Sequence, residues 1–235
     1  MRPLDELINS ADDAWPLVLD WRAKADVPVD LLPCTPEAGR ATLLALQVTT
    51  RSPMGAIALR TGGLLVDDGW LRILGAPSLV IGDGIGEWNA SLGGTPLDPP
   101  LDGALVVAYD ALGGFFAING GRWDANPGTA HYLAPDTYGW EPLGFGYSDF
   151  VAWAMSSQLA TFYDGMRWDG WRRELAGCGP DHAISVYPPL GFEDIAIGER
   201  SRRPVPAREL WTVHHDLGRQ LQGLPSGATV TLELK

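Results

Sequence analysis

Lysine is nearly absent from this chain. Of its 17 cationic residues only Lys24 and Lys235 are lysines, and they stand against 29 acidic residues for a formal net charge of -12. A chain this acidic meets a phosphate backbone against an unfavourable long-range field, so nucleic acid is not the expected partner. Cysteine is scarce as well: Cys34 and Cys178 lie 144 positions apart, with no C-x-x-C pair and no histidine at a zinc-ligand offset. A disulfide framework and a structural zinc site are therefore not expected. No apolar run approaches the ~20 residues that cross a bilayer. The opening MRPLDELINSADDAW also lacks an apolar stretch between a basic head and a cleavage site, so the expectation is a soluble, unprocessed, cytoplasmic protein without membrane association. No lysine sits in a P-loop pattern, and GDGIGE at 82–87 lacks the third glycine of a dinucleotide loop and reads as a turn.

What is present is 46% apolar content in 235 residues, enough for a substantial core. The first segment reads as helical: Ser10 and Asp13 have capping-box spacing, and Ala14, Val18 and Trp21 share a face up to Ala25, with Pro16 tolerable in the first turn. Thr35 followed by Pro36 starts a second helix near 36–47, and the proline-rich DVPVDLLPCTP between the two reads as a loop. From Met54 the runs MGAIALR, LLV and WLRIL, separated by Gly62-Gly63 and Asp67-Asp68-Gly69, predict a three-stranded antiparallel meander.

The Gly/Pro-rich stretch after Ser78 reads as a long surface excursion, and ALVVAYDALGGFFAING gives two more strands around Gly113-Gly114. HYLAPDTYGWEPLG holds at most one short strand. Val151, Met155, Leu159, Phe162 and Met166 recur at helical spacing and predict one helix over Tyr147 to Asp164, capped by Ser148. A short helix around Trp168, Trp171 and Leu175 follows, then a strand in HAISVYPPLGF, then a last helix from Pro206 to about Leu221. The sum is one α+β domain over 1–235, with a mostly antiparallel sheet of about five or six strands packed by helices from the N-terminal, central and C-terminal segments.

The candidate chemistry is sparse, and no catalytic, cofactor-binding or metal-ligating set is expected. His214 falls on the Leu210, Leu217, Leu221 stripe of the last helix and reads as a packing histidine, while His215 points about 100° away and reads as solvated. CGPDH at 178–182 joins a thiol, a carboxylate and an imidazole, but its glycines and proline make a turn the simpler reading. Adjacent carboxylates at Asp12-Asp13, Asp67-Asp68 and Glu193-Asp194 read as caps and turns. Ten tryptophans, several beside polar turn residues, offer either core or ligand shelves.

The residues GGFFAINGG (113–121) and HYLAPDTYGWEPLGFGYSDFVAWAM (131–155) resemble the SUKH superfamily (Smi/Knr-type proteins). In that pattern a strand with an aromatic pair precedes a Trp-Glu, a Leu-Gly and an aromatic-Ser-x-Phe that opens a helix. Trp140, Glu141, Leu143, Gly144, Tyr147, Ser148 and Phe150 occupy those places over a core of about 100–160. SPMGAIALRTGGLLVDDGWLRILG (52–75) further resembles an uncharacterised bacterial family of unknown function, a likeness covering most of 1–230. The resemblance implies an α+β protein-binding module without a cofactor, of the immunity or adaptor type.

The charge supports a basic partner: residues 1–78, 79–165 and 166–235 carry -3, -9 and 0, and Arg122 is the sole cation of the middle segment. The candidate partner-binding residues are accordingly Asp124, Asp136, Trp140, Glu141, Tyr147 and Asp149. The alternative is a hydrolase for a small polar or sugar-like substrate, with paired carboxylates as acid and base and tryptophans as platform.

Overall fold

The computed structural model describes residues 1–192 and 195–222. Its first half runs α1 (Leu4–Leu7), α2 (Trp15–Ala23), β1 (Val29–Leu31), α3 (Pro36–Leu46), α4 (Pro53–Arg60), β2 (Gly63–Val66) and β3 (Leu71–Leu74). The second half runs β4 (Ala104–Asp110), β5 (Phe115–Asn119), β6 (Thr129–Leu133), β7 (Trp140–Gly146), α5 (Tyr147–Ala154), α6 (Gln158–Phe162), α7 (Trp171–Ala176), β8 (His182–Tyr187), β9 (Ser201–Pro206) and α8 (Ala207–Leu221). Strands β1 to β7 form one seven-stranded sheet in sequential order, antiparallel at every pair, and β8 and β9 form a separate hairpin. The α+β class is as the sequence predicts, but the sheet exceeds five or six strands.

The extra strands lie where proline discouraged a strand. β1 sits between Pro28 and Pro33 at one edge of the sheet, where a missing ladder donor is tolerated, and β7 carries Pro142 at the other edge. β9 (SRRPVP) contains two prolines and belongs to a two-stranded ribbon.

MGAIALR is a helix, not the first strand of a meander. Ser52 Oγ accepts from Gly55 N at 3.1 Å and Pro53 opens the first turn, so the cap overrides the apparent alternation. Gly55, Ala56, Ile57 and Ala58 are all buried there. Gly39 lets α3 approach α4 closely, since a Cβ would stand 2.0 Å from the Leu59 carbonyl oxygen. Thr35 caps α3 as expected, its Oγ1 accepting from Ala38 N at 3.1 Å, and α2 begins at Trp15 with Pro16 in its first turn.

The single helix predicted over 147–164 is two helices, α5 and α6, and α5 starts without a Ser148 cap. The break is polar: Ser156 Oγ donates to the Trp153 carbonyl at 2.8 Å, Ser157 N donates to Asp26 Oδ2 at 2.8 Å, and Asp26 N donates to the Met155 carbonyl.

The stretch after Ser78 is not a surface excursion, because Ile81, Ile85, Trp88, Leu97 and Leu101 are buried. Asn89 fixes it to the sheet by donating to the Ile85 and Val106 carbonyls and accepting from Val106 N, all within 2.9 Å. The core is strongly aromatic: Trp70, Trp88, Trp168, Trp171 and Trp211 are buried and the other five tryptophans half-buried.

Candidate functional site

Helix α8 carries two different faces. On one, Trp211 Nε1 donates to the Pro99 carbonyl, Thr212 Oγ1 to the Asp98 carbonyl, and Arg208 to Asp83 and the Glu87 carbonyl, so residues 83–99 hold the helix. On the other, Glu209, Leu210, Val213, His214 and Leu217 face the β8–β9 hairpin across a groove of about 550 Å³. Its far wall is Leu112, Pro135, Tyr138, Ile184, Val186 and Leu190. Arg203 and Glu209 stand at the rim, 3.8 Å apart and largely exposed.

The depth of the groove follows from how α8 meets the β4–β5 turn. Gly113 has φ +76°, and a Cβ there would stand 2.6 Å from Leu210 Cδ1 and 3.1 Å from His214 Cε1, so glycine is required by both conformation and space. The Gly113 carbonyl lies 2.9 Å from His214 Nδ1, and β8 is tied to the same turn by Ile184 N donating to the Ala111 carbonyl at 2.6 Å. His214 is 7% exposed. Burial pushes its pKa from 6.5 down to about 4, with the neighbouring His215 adding to the depression and the Gly113 bond opposing it. The ring is neutral at physiological pH, and because a carbonyl only accepts, the hydrogen resides on Nδ1 and Nε2 carries a lone pair.

Tyr138, at φ +55°, lies 5.5 Å from His214 between ring centroids. Its hydroxyl accepts from Gly191 N at 3.3 Å, and burial pushes its pKa up to about 12.

The predicted partner-binding residues lie apart from this groove except Asp136, whose backbone packs at Gly191 near its end. Asp124 is exposed in the loop after β5, Glu141 is exposed on β7 and accepts from Thr137 Oγ1 at 3.1 Å, and Asp149 is exposed in the first turn of α5. Asp136 is half-buried and accepts from Thr137 N. Trp140 is half-buried among Trp123, Trp211 and His215, with ring centroids at 5.0, 6.1 and 6.3 Å. Tyr147 is buried and its hydroxyl pKa is raised by burial, which leaves it a packing residue.

His215, expected in solvent, is half-buried, packs at a tilt with its ring centroid 4.3 Å from that of Trp211 and has its pKa lowered mainly by burial. Cys178 is buried and its thiol pKa raised, in keeping with a structural turn at CGPDH, where His182 Nδ1 pairs with Asp181 at 2.8 Å. The Glu193-Asp194 pair lies outside the described residues.

A second polar centre is sealed in the core. Asp110 accepts from Tyr132 and Tyr163 hydroxyls at 2.7 and 2.9 Å and from Leu112 and Gly114 N at 2.8 Å each. Burial raises its pKa while those four donors oppose the rise.

Comparison with known proteins shows the family. The family described as "Protein of unknown function DUF2625" matches residues 4–210. The chain belongs to the DUF2625 family. It is 36% identical over 219 residues to the putative uncharacterized protein YbfG of Escherichia coli K12, covering 92% of this chain and 97% of that protein. It is 32% identical over 208 residues to an uncharacterized protein of Haemophilus influenzae Rd, covering 87% and 90% of the two chains. No solved structure matches it.

The DUF2625 span ends at residue 210, in the first turn of α8, so the helical half of the groove extends past it. Among the described residues no group of three or more His, Cys, Asp or Glu is placed to hold a metal ion, and no helix is long and apolar enough to cross a membrane. Sequence reasoning missed Tyr138 and the groove, because Tyr138 meets α8 at His214 and Gly218 and the loop at Gly191 only in the tertiary fold, and β9 in the facing hairpin was concealed by its prolines. The available signal was the alternation of Ile184 and Val186 opposite the Leu210, Val213, Leu217 spacing.

Proposed function

We propose that this DUF2625 protein is a binding protein and that the groove between α8 and the β8–β9 hairpin takes an apolar ligand. The observation that carries the reading is a groove of about 550 Å³ whose lining is largely apolar, with one neutral imidazole and with Ser185, Ser201, Arg202, Arg203 and Glu209 as its other polar side chains besides its tyrosines, a size and composition typical of small-ligand sites. The hydrolase alternative is less well supported: Glu209 is the sole carboxylate among the groove's lining residues, at the rim beside Arg203, where acid/base hydrolysis needs two facing groups. The test is titration with N-phenyl-1-naphthylamine, a neutral fluorescent apolar probe. Saturable enhancement that is lost in Val213→Trp, which fills the groove from a half-exposed position, supports the reading. An enhancement unaffected by that substitution, or none at all, rejects it.

A second reading keeps the edge around β7 as a surface for a basic protein partner, in an immunity or adaptor role. It is favoured by Asp124, Glu141 and Asp149, which are exposed and make no ion pair among the described residues, and by the SUKH-like resemblance of the segment in which Glu141 and Asp149 lie. A basic protein retained by the wild type in a salt-dependent manner, and released by the double substitution Glu141→Lys and Asp149→Lys, supports it. Undiminished retention by that variant rejects it.

A further inference from the structure

Resting on the reading of the groove as a ligand site, we infer that its ligand is an uncharged molecule with an apolar body and a hydroxyl, and that the hydroxyl donates to His214 Nε2. His214 is more than nine-tenths buried, and Nδ1 is committed as donor to the Gly113 carbonyl. Nε2 is left as an acceptor on the groove wall with no hydrogen-bond partner among the described residues. Unlike His215 Nε2, it is not sealed from solvent, so a ligand hydroxyl can reach it and take the place of water as its donor.

Charge decides between donors. A carboxylate would set its own lone pairs against that of Nε2. The cationic side chains at the groove do not offset this: Arg202 is engaged by Glu174 and by the Ile197, Gly198 and Arg200 carbonyls, and Arg203 stands exposed at the rim with Glu209. An ammonium group would find an acceptor in Nε2 but no buried counter-charge, and an unpaired charge on an apolar floor is strongly disfavoured. A hydroxyl donates without either penalty. Tyr138 adds a second polar group from the facing wall, since its oxygen accepts from Gly191 N while its hydrogen has no acceptor among the described residues.

The experiment compares 1-octanol, 1-methoxyoctane and octanoate as competitors of N-phenyl-1-naphthylamine, with histidine-¹⁵N-labelled protein observed in parallel. Octanol is expected to bind about 3- to 10-fold more tightly than the ether, the range of one neutral hydrogen bond, and octanoate more weakly than octanol. The His214 Nε2 resonance should move with octanol and stay with the ether. In His214→Leu the ether should still compete and the preference for octanol should vanish. Equal affinities, or a preference that survives His214→Leu, would overturn the inference while leaving the groove as a binding site. Failure of all three to displace the probe would remove the groove reading itself, and the inference with it. If His214→Leu does not fold, the wild-type Nε2 response decides alone: a shift with octanol but not ether upholds the inference, and no shift with octanol rejects it.

Discussion

The neutral His214 makes a quantitative prediction about acid stability. Its pKa falls from 6.5 to about 4 on folding, chiefly through burial. Above pH 6.5 both folded and unfolded states hold the ring neutral, so the group adds no pH dependence. Between about pH 6.5 and pH 4 the unfolded chain takes up a proton that the folded chain refuses, so stability falls as pH falls, and below about pH 4 the loss levels off. A shift of this size corresponds to about 3 kcal/mol lost across that window.

Two other groups overlay it. His215, whose pKa is also lowered, contributes in the same direction, whereas the raised pKa of Asp110 contributes stability that grows as pH falls. The decisive comparison is therefore the difference between wild type and His214→Leu in urea denaturation at several values from about pH 7 to pH 4. The variant loses the bond to the Gly113 carbonyl and is less stable at neutral pH, but the gap between the two proteins should shrink by about 3 kcal/mol as the pH drops. A gap independent of pH would refute the assignment of a buried, neutral imidazole.

Other substitutions test the surrounding framework. Gly114→Ala places a Cβ 2.3 Å from both Asp110 Oδ2 and the Tyr132 hydroxyl, and overpacking against a fixed hydrogen-bonded carboxylate should cost about 3 kcal/mol, read as a lower urea midpoint. Asp67 is 1% exposed and pairs with Arg167 at 2.6 Å and Arg172 at 3.1 Å. Asp67→Asn keeps the left-handed turn, which asparagine accepts, and should cost roughly 3 kcal/mol by leaving Arg167 uncompensated, measurable as a fall in the thermal midpoint. Thr35→Ala removes the cap of α3 and should cost about 1 kcal/mol by the same measurement, without affecting probe binding in the groove.

The contrast between α3 and α4 explains what could be read from the residues alone. Both begin with a hydroxyl cap and a proline, Thr35-Pro36 and Ser52-Pro53. The first was legible because its apolar residues also follow a helical stripe. The second was not, because MGAIALR is a short apolar run of seven residues ending before Gly62-Gly63, and over so few residues a helix and a buried strand give the same apolar signal. The sheet was legible in β2 to β6, where turns carry Gly and Asp, and hidden in β1, β7 and β9, where proline is acceptable only because those strands lie at edges or in a two-stranded ribbon. His214 was legible as a packing residue from its place on the α8 stripe. Its role on a groove wall was not, since the facing wall is made by Tyr138 and the hairpin, which reach it only through the tertiary fold.

The choice of the groove over the more conspicuous Asp110 centre turns on spare hydrogen-bonding capacity and access together. Asp110, with two tyrosines and a carboxylate, has the residue types of an active site, but four donors already occupy its oxygens and it is 0% exposed. Removing any donor would leave a buried carboxylate short of a partner, which makes the cluster a structural node. Trp70 Nε1 and Arg72 Nε show the reverse condition: they lack partners, yet they are buried beyond the reach of a ligand. His214 Nε2 meets both requirements, an acceptor without a partner on the wall of a cavity. Substitution at Asp110 should therefore reduce stability and ligand binding in parallel, whereas His214→Leu should change which ligand is preferred in the fraction that remains folded.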